Sequence, residues 1–234
     1  MQLFFHQNLE NNRVELPEDE SKHCVRVLRK KVGDEITLID GKGNKVNCKI
    51  IDDNQKKCKL EIIEKLHFTS KAIGLHIAIA PTKNFDKMDW MLEKCTEIGV
   101  TEISFIETEN AERNKINMER CEKILIQSIK QSKQYWLPKL NNIISFKQFV
   151  SNQKTTDLNC LMAWCNEHTL TINESIDLKK STLLLIGPEG DFTDLEAKLA
   201  IEQNFKTISL GQNILRTETA AVYASAVINN LLHS

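Results

Sequence analysis

The chain has 234 residues, with 31 Lys and Arg against 32 Asp and Glu, and therefore a formal net charge of −1. A chain of this length can bury a core without metals or disulfides, and its near-neutral charge excludes binding to anionic partners over the whole surface. Apolar runs stay far below the ~20 residues of a membrane span, and the start lacks the order of a signal peptide, so we expect a cytoplasmic protein.

Short β-rich runs separated by turn residues occupy the first seventy residues and predict a small antiparallel barrel or sheet. A helix is predicted over Pro17–Lys30, and the stretch from 21 to 31 contains no acidic residue. Basic stretches of this kind are candidate contacts for nucleic-acid phosphates. The four β-rich runs lie at residues 3–5, 35–40, 46–51 and 58–63.

From about Lys71, strands alternate with long helices, which predicts βαβ units around a parallel sheet. The boundary near residues 68–72 separates an amino-terminal domain, residues 1–70, from a second domain, residues 71–234. Gly99 is placed to end the first long helix. The predicted strands are 73–80, 102–107, 158–163, 182–186 and 207–210, and the predicted helices are 86–98, 117–134, 194–204 and 217–232.

An apolar strand, Leu183–Ile186, leads directly into the turn Gly187-Pro188-Glu189-Gly190. Two glycines and a proline in four residues fix a tight backbone at the carboxyl end of a parallel strand, where α/β sheets bind ligands. The alternative is an ordinary strand-to-helix turn without a ligand, which would need only one glycine. Thr193 and Glu196 predict a capping box that begins the next helix. Neither a P-loop nor a dinucleotide fingerprint occurs, so the predicted ligand is of another kind.

A second loop, Leu210-Gly211-Gln212-Asn213-Ile214-Leu215-Arg216, leads into a helix that begins at Thr217. A helix amino terminus favours Glu218 and disfavours Arg216, so Arg216 is expected to face an anion or a carboxylate. The alternative is an ordinary surface ion pair.

The seven cysteines form an odd number without a Cys-x-x-Cys pair, which is typical of buried, reduced thiols. Cys160 and Cys165 lack the further ligands that a zinc site requires, so no metal is predicted.

Together these motifs resemble the RsmE-type branch of the SPOUT methyltransferases, which methylates N3 of one uridine in small-subunit ribosomal RNA. The GPEG turn and the segment LG-x-x-I-LRTETA carry the resemblance. Further similar stretches are His23–Arg29, Lys87–Val100, Ala111–Arg113 and Gln131-Ser132, so the resemblance covers nearly the whole chain. The sequence departs from the family pattern at Asp191, Lys130 and Gln212-Asn213.

The resemblance implies a PUA-like amino-terminal β-barrel that binds RNA, followed by an α/β domain with a carboxyl-terminal trefoil knot. It also implies that S-adenosylmethionine lies bent in the cleft between the knotted loops. The residues expected to bind this cofactor are Leu185, Ile186, Gly187, Pro188, Glu189, Gly190, Leu210, Gly211, Ile214, Leu215, Thr217 and Ala220.

The implied reaction is an in-line transfer of the sulfonium methyl group to uracil N3. This nitrogen carries a proton at neutral pH, so the site must remove the proton or stabilise the resulting anion. Arg216 is expected to supply the positive charge beside the uracil. Either Glu218 or Glu189 orients the base or accepts its proton, and the sequence does not choose between them.

The resemblance further implies a homodimer whose substrate is the small-subunit RNA, as naked RNA or in the assembled subunit. The predicted RNA contacts are Lys22, Arg26, Arg29, Lys30, Lys31, Arg113 and Lys115. The second basic run, which continues through Arg120 and Lys123 to Lys133, is alternatively a solvated helix face. With 14 aromatic residues in all, phosphate and shape contacts are expected to dominate over base stacking. The alternative functions are a SPOUT methyltransferase for another RNA, such as transfer RNA, and a non-catalytic RNA-binding module.

Overall fold

A computed structural model describes residues 2–112, 115–165 and 170–233 of the chain. The chain divides into two units, the first formed by Met1–Ser70 with Ile126–Leu137 and the second by Lys71–Leu125 with Pro138–Ser234. None of the helices in the described ranges is long and apolar enough to cross a membrane.

The helices begin and end close to the signals in the sequence. Gly99 takes a φ of 102° and ends α2, as predicted. The predicted capping box of Thr193 and Glu196 is present at the start of α6. The α-helices are α1 (Glu18–Lys22), α2 (Phe85–Ile98), α3 (Met118–Ser132), α4 (Phe146–Ser151), α5 (Ile172–Ser175), α6 (Asp194–Glu202) and α7 (Thr217–His233).

The first unit contains a five-stranded sheet with the order β1-β3-β4-β5-β2. Strand β1 pairs in parallel with β3, so the predicted all-antiparallel pairing is wrong at this edge. The chain returns to β3 through a helical crossover, and a crossover leaves the two strands pointing the same way. The strands are β1 (Leu3–Phe5), β2 (Arg13–Glu15), β3 (Glu35–Ile39), β4 (Asn44–Asp52) and β5 (Lys59–His67).

Two irregularities in the β4–β5 pairing curl this sheet into a half-barrel. The register shifts between Asn47 and Cys48 and again between Ile50 and Asp52. Bulges of this kind bend a strand and increase its twist. The concave side is filled by side chains that are almost fully buried, among them Phe4, Leu38, Val46, Cys48 and Leu60. The barrel-like fold predicted for the amino-terminal region is confirmed.

The helix predicted over residues 17–30 is shorter than expected. After α1, the chain widens into a π-helical turn, His23–Val27, in which the N–H of Leu28 donates to the carbonyl of His23 at 3.0 Å. Arg29 then takes a φ of 55°, a left-handed conformation that a helix cannot continue through. No glycine or proline marks this end, so the pattern of apolar residues overestimates the helix.

Residues 126–137, which include the last turns of α3, complete the first unit. Ile129 is fully buried with Leu3, Phe5 and Ile39. The backbone N–H of Leu137 donates to the carbonyl of Gly41 at 2.8 Å. No feature of the sequence indicates that this segment belongs with the first seventy residues.

The second unit contains a six-stranded sheet with the order β11-β9-β10-β6-β7-β8, and all of its pairings are parallel. The predicted parallel α/β fold is confirmed. Strand β8 was not predicted, because Asn141 and Asn142 interrupt its apolar residues. The strands are β6 (Leu75–Ile79), β7 (Glu102–Glu107), β8 (Lys139–Ser145), β9 (Leu158–Ala163), β10 (Ser181–Ile186) and β11 (Lys206–Ile208).

Candidate functional site

A cleft of about 480 Å³ lies at the carboxyl ends of three neighbouring strands of the second unit. Ile186 of β10 pairs with Ala163 of β9, which in turn pairs with Ile208 of β11, so the three strands end side by side. The GPEG turn follows β10 and the 209–216 loop follows β11. The two unusual segments of the sequence therefore meet where α/β sheets bind their ligands.

Ten of the twelve residues predicted to bind the cofactor line this cleft. The other two do not. Leu185 is fully buried in the core, because its side chain points to the opposite face of the strand from that of Ile186. Gly190 instead faces Asn110, whose Cβ would lie 3.2 Å from a Cβ at that glycine. The ten are Ile186, Gly187, Pro188, Glu189, Leu210, Gly211, Ile214, Leu215, Thr217 and Ala220.

Several other residues line the cleft without having been predicted. Trp164 and Cys165 directly follow β9, and the order of strands that places them beside β10 cannot be read from local sequence patterns. The remaining residues belong to β9, β11 or the two loops, and they are Ala163, Asp191, Ile208, Ser209, Gln212 and Asn213.

The GPEG turn is held in place by side chains around it. The Asn110 amide donates to the carbonyls of Gly190 and Asp191 at 3.0 and 3.1 Å. Asp191 takes a φ of 58°, a conformation that aspartate adopts more readily than most residues. Its carboxylate accepts from the backbone N–H of Phe192 at 2.8 Å and of Cys165 at 3.1 Å. Asp191, one of the departures from the family pattern, therefore connects the segment after β9 to the turn after β10 by a hydrogen bond.

The 209–216 loop presents both open space and hydrogen-bonding groups. Gly211 has a φ of 125°, and a Cβ at this position would meet no atom within 4 Å. Across the described ranges, the backbone N–H groups of Leu210, Gln212 and Ile214 make no hydrogen bond within the chain. A cleft with apolar walls and free amides fits the adenine ring and the polar edges of S-adenosylmethionine.

The three residues predicted to act on the substrate lie in different surroundings. Arg216 is exposed between Leu215 and Thr217, which line the cleft, and it makes no ion pair with any residue that the structure describes. Glu189 is exposed and lines the cleft. Glu218 is only 6% exposed. The ion pair considered for Arg216 is therefore absent from the described part of the chain.

Glu218 is paired with a lysine on the neighbouring helix. Its Oε1 lies 3.2 Å from Nζ of Lys87, in the first turn of α2. Its Oε2 is buried and has no hydrogen-bond partner among the described residues. The pair joins the first turns of α2 and α7, next to the loop that forms one wall of the cleft.

The predicted RNA contacts are mostly exposed. Lys22 pairs with Glu18 at 2.7 Å, and Nζ of Lys30 donates to the carbonyl of Glu35 at 3.4 Å. Arg26, Arg29, Lys31 and Lys115 are exposed, whereas Arg113 lies outside the described residues. No group of three His, Cys, Asp or Glu side chains in the described ranges is placed to hold a metal ion.

A second, polar cleft of about 650 Å³ lies at the amino ends of the strands of the same sheet. His76 is largely buried there, with Nε2 2.8 Å from Oγ of Ser104 and 4.0 Å from Oε1 of Glu102. Burial lowers the pKa of His76 from 6.5 to about 4, although the charge of Glu102 opposes this shift. His76 is therefore neutral at physiological pH.

We expect acid to destabilise the protein through His76. Between its folded and unfolded pKa values the unfolded chain binds more protons, so the free energy of unfolding falls as the pH drops, by about 2 kcal/mol between about pH 7 and about pH 5. Burial raises the pKa of Glu102, but hydrogen bonds from Lys139 and Asn141 together with nearby positive charge leave this pKa lowered, so protonation of Glu102 at still lower pH destabilises the folded chain further. Urea unfolding of the wild type and of His76→Gln at both pH values tests this, and equal pH slopes for the two proteins would contradict it.

Comparison with known proteins gives consistent matches. A family model described as an RNA methyltransferase domain matches residues 69–229, and one described as an RNA methyltransferase PUA domain matches residues 16–63. The ribosomal RNA small subunit methyltransferase E of Rickettsia conorii is 32% identical over 229 residues, which cover 95% of this chain and 91% of the relative.

Solved structures are similar over almost the full length. The crystal structure of a probable rRNA-methyltransferase from Porphyromonas gingivalis has a TM-score of 0.93 and 34% identity, covering 99% of this chain and 98% of that one. A ribosomal RNA small subunit methyltransferase E from Neisseria gonorrhoeae, solved bound to S-adenosyl methionine, has a TM-score of 0.88 and 25% identity, with coverage of 99% and 98%.

Proposed function

Because the chain belongs to the ribosomal RNA small subunit methyltransferase E family, we propose that it transfers the methyl group of S-adenosylmethionine to N3 of a uridine in small-subunit ribosomal RNA. The observation that carries this proposal is the cleft between the GPEG turn and the 209–216 loop. We propose that the first unit, which contains residues 1–70, positions the RNA and that the second unit performs the chemistry.

The proposed cofactor site uses the walls and the amides of the cleft. Ile214 and Leu215 offer apolar surface, and Gly211 leaves room for a close approach. The free N–H groups of the 209–216 loop are suited to the adenine edge and the carboxylate. When bound, S-adenosylmethionine supplies an electrophilic methyl group on a positively charged sulfur.

Arg216 is proposed to stabilise the negative charge that develops on the uracil during transfer. Its guanidinium is exposed, unpaired within the described ranges, and attached to the loop that forms one wall of the cleft. A fixed positive charge beside a developing anion is among the most effective contributions a site can make.

Of the two candidate proton acceptors, Glu189 fits the role better. It is exposed and lines the cleft, so a base in the site can reach its carboxylate. The free oxygen of Glu218 is buried, and its other oxygen is held by Lys87. We therefore propose that Glu189 accepts the N3 proton, while Glu218 orients the start of α7.

The basic residues of the first unit are proposed to bind RNA phosphates. Lys22, Arg26, Arg29, Lys30 and Lys31 all fall in the segment that matches the PUA domain model. Phosphate contacts position an RNA without reading its sequence. The homodimer, the trefoil knot and the cytoplasmic location stay predictions.

The test is methyl transfer from labelled S-adenosylmethionine to purified small subunits, naked small-subunit RNA and transfer RNA, followed by nucleoside analysis. We expect N3-methyluridine from one of the first two substrates, and far less of it in the same reaction time with the Arg216→Ala protein. Another methylated nucleoside, or product only from transfer RNA, would contradict the proposal and indicate a methyltransferase for a different atom or a different RNA. Absence of cofactor binding in a titration would leave only an RNA-binding module.

A further inference from the structure

Four aromatic side chains from distant parts of the sequence meet on the first unit. His67 and Phe68 lie at the end of β5, and Tyr135 and Trp136 follow α3. The rings of Phe68 and Tyr135 stack with their centroids 4.3 Å apart. The rings of His67 and Trp136 meet edge to face at 6.2 Å. We refer to these four residues as the aromatic platform.

Backbone hydrogen bonds and a glycine fix the platform in place. The indole N–H of Trp136 donates to the carbonyl of Phe68 at 2.9 Å. The N–H of Gly43 donates to the carbonyl of Tyr135 at 2.9 Å, and the N–H of Phe68 donates to the carbonyl of Gly43 at 2.8 Å. Gly43 has a φ of 87°, and a Cβ there would lie 2.5 Å from the Phe68 oxygen and 2.7 Å from the indole ring. The rings are therefore ordered before any ligand arrives, which lowers the entropic cost of binding.

The platform exposes ring surface rather than polar groups. Phe68 is 38% exposed and Trp136 is 39% exposed. Because the indole N–H is already bonded within the chain, the part of Trp136 that faces solvent is apolar carbon. Large apolar rings held in a fixed frame at a surface commonly mark a binding site.

Lysines outnumber carboxylates around the platform, and the exposed Glu64, just before one of its segments, accepts from the Asn47 amide at 2.7 Å. Residues 42–46, 65–68 and 133–136 contain four lysines and no acidic residue. Nζ of Lys45 lies 5.9 Å from the centre of the Tyr135 ring. Asp40, which precedes the first of these segments, is buried, and its carboxylate accepts from the backbone N–H groups of Lys42 and Asn44. The combination of exposed rings and surrounding cations is typical of surfaces that bind single-stranded nucleic acid.

We propose that the aromatic platform stacks an unpaired base of the RNA, with Lys42 and Lys45 near the adjoining phosphates. This base is distinct from the uridine that reacts. The proposal rests on the proposed function, because it takes the ligand to be the RNA substrate. A stacking contact holds any base, since every base has a π-face, so the platform adds affinity without fixing the sequence.

The test measures binding of the full-length protein to a fluorescein-labelled single-stranded RNA of about 12 nucleotides by fluorescence anisotropy. Trp136→Leu removes the π-face and is expected to weaken binding about tenfold, whereas Trp136→Phe retains a ring and is expected to stay within about threefold of the wild type. Trp90→Leu is the matched control, because Trp90 is similarly exposed, at 42%, on α2 of the second unit. This control is expected to bind RNA as the wild type does.

A second readout addresses the lysines. Replacing Lys42 and Lys45 together with alanine is expected to reduce the slope of log affinity against log salt by about 1.4, since each phosphate contact on a single strand contributes about 0.7 to that slope. An unchanged slope would remove these lysines from the proposal.

Three results would overturn the stacking role: RNA binding by Trp136→Leu as tight as that of the wild type, an equal loss of affinity in both Trp136 variants, or an equal weakening of binding in Trp90→Leu. Thermal unfolding of each variant establishes that it is folded. Cofactor titration keeps this proposal separate from the proposed function: a chain that binds RNA through Trp136 but binds no S-adenosylmethionine would contradict methyl transfer and leave the platform standing.

Discussion

Arg216→Ala is expected to lower the rate of methyl transfer roughly 10²–10³-fold, because removal of one group that stabilises transition-state charge has an effect of that size. The nitrogen that reacts must become anionic, and Arg216 is the cation on the loop that forms one wall of the cleft. The measurement is single-turnover methyl transfer at saturating RNA and cofactor.

The controls for this variant follow from its surroundings. Arg216 is exposed and makes no ion pair with a described residue, so its loss should change the free energy of unfolding by less than about 0.5 kcal/mol. Cofactor affinity should stay near that of the wild type. Arg216→Lys keeps the charge without the planar fork and should recover part of the rate. An alanine variant with wild-type turnover would exclude Arg216 from the chemistry.

Lys87→Met is expected to lower the free energy of unfolding by about 2 kcal/mol, because it leaves the buried carboxylate of Glu218 without its partner. Breaking a fully buried pair typically has a larger effect, but the Lys87 side chain is 32% exposed, and solvent screens part of the interaction. Urea unfolding at neutral pH measures the change.

A matched set of variants separates the charge from the packing. Lys87→Arg keeps the positive charge and should retain most of the stability. Glu218→Gln in the Lys87→Met background removes the unpaired charge and should restore part of the loss. If Lys87→Met alone is as stable as the wild type, the pair has no role in anchoring α7, and the positioning assigned to Glu218 fails with it.

Features with a local cause could be predicted from the sequence. Gly99 ends α2 because its φ is positive, and Thr193 with Glu196 begins α6 because their side chains satisfy free backbone groups. The GPEG turn and the 209–216 loop stood out because their glycines follow apolar strands. These signals place the cleft at the correct edge of the sheet.

Features that depend on long-range packing could not be predicted. The order of strands brings Trp164 into the cleft, and only the packing of α2 against α7 buries Glu218 beside Lys87. The small number of aromatic residues predicts little base stacking, but Phe68 and Trp136 meet through the hydrogen bond from the Trp136 indole N–H to the Phe68 carbonyl, which joins segments far apart in the chain. The number of aromatic residues in a sequence does not indicate which of them meet in the folded chain.

The place of residues 126–137 in the first unit has a consequence for how the protein is made. As the chain leaves the ribosome from its amino terminus, Leu3, Phe5 and Ile39 remain uncovered until Ile129 and Leu137 have also emerged. By then β6, α2 and β7 are already outside the exit tunnel. The first unit can therefore be completed only after part of the second has emerged, and a gene fragment that stops at Ser70 would yield a polypeptide with exposed apolar side chains, prone to aggregation.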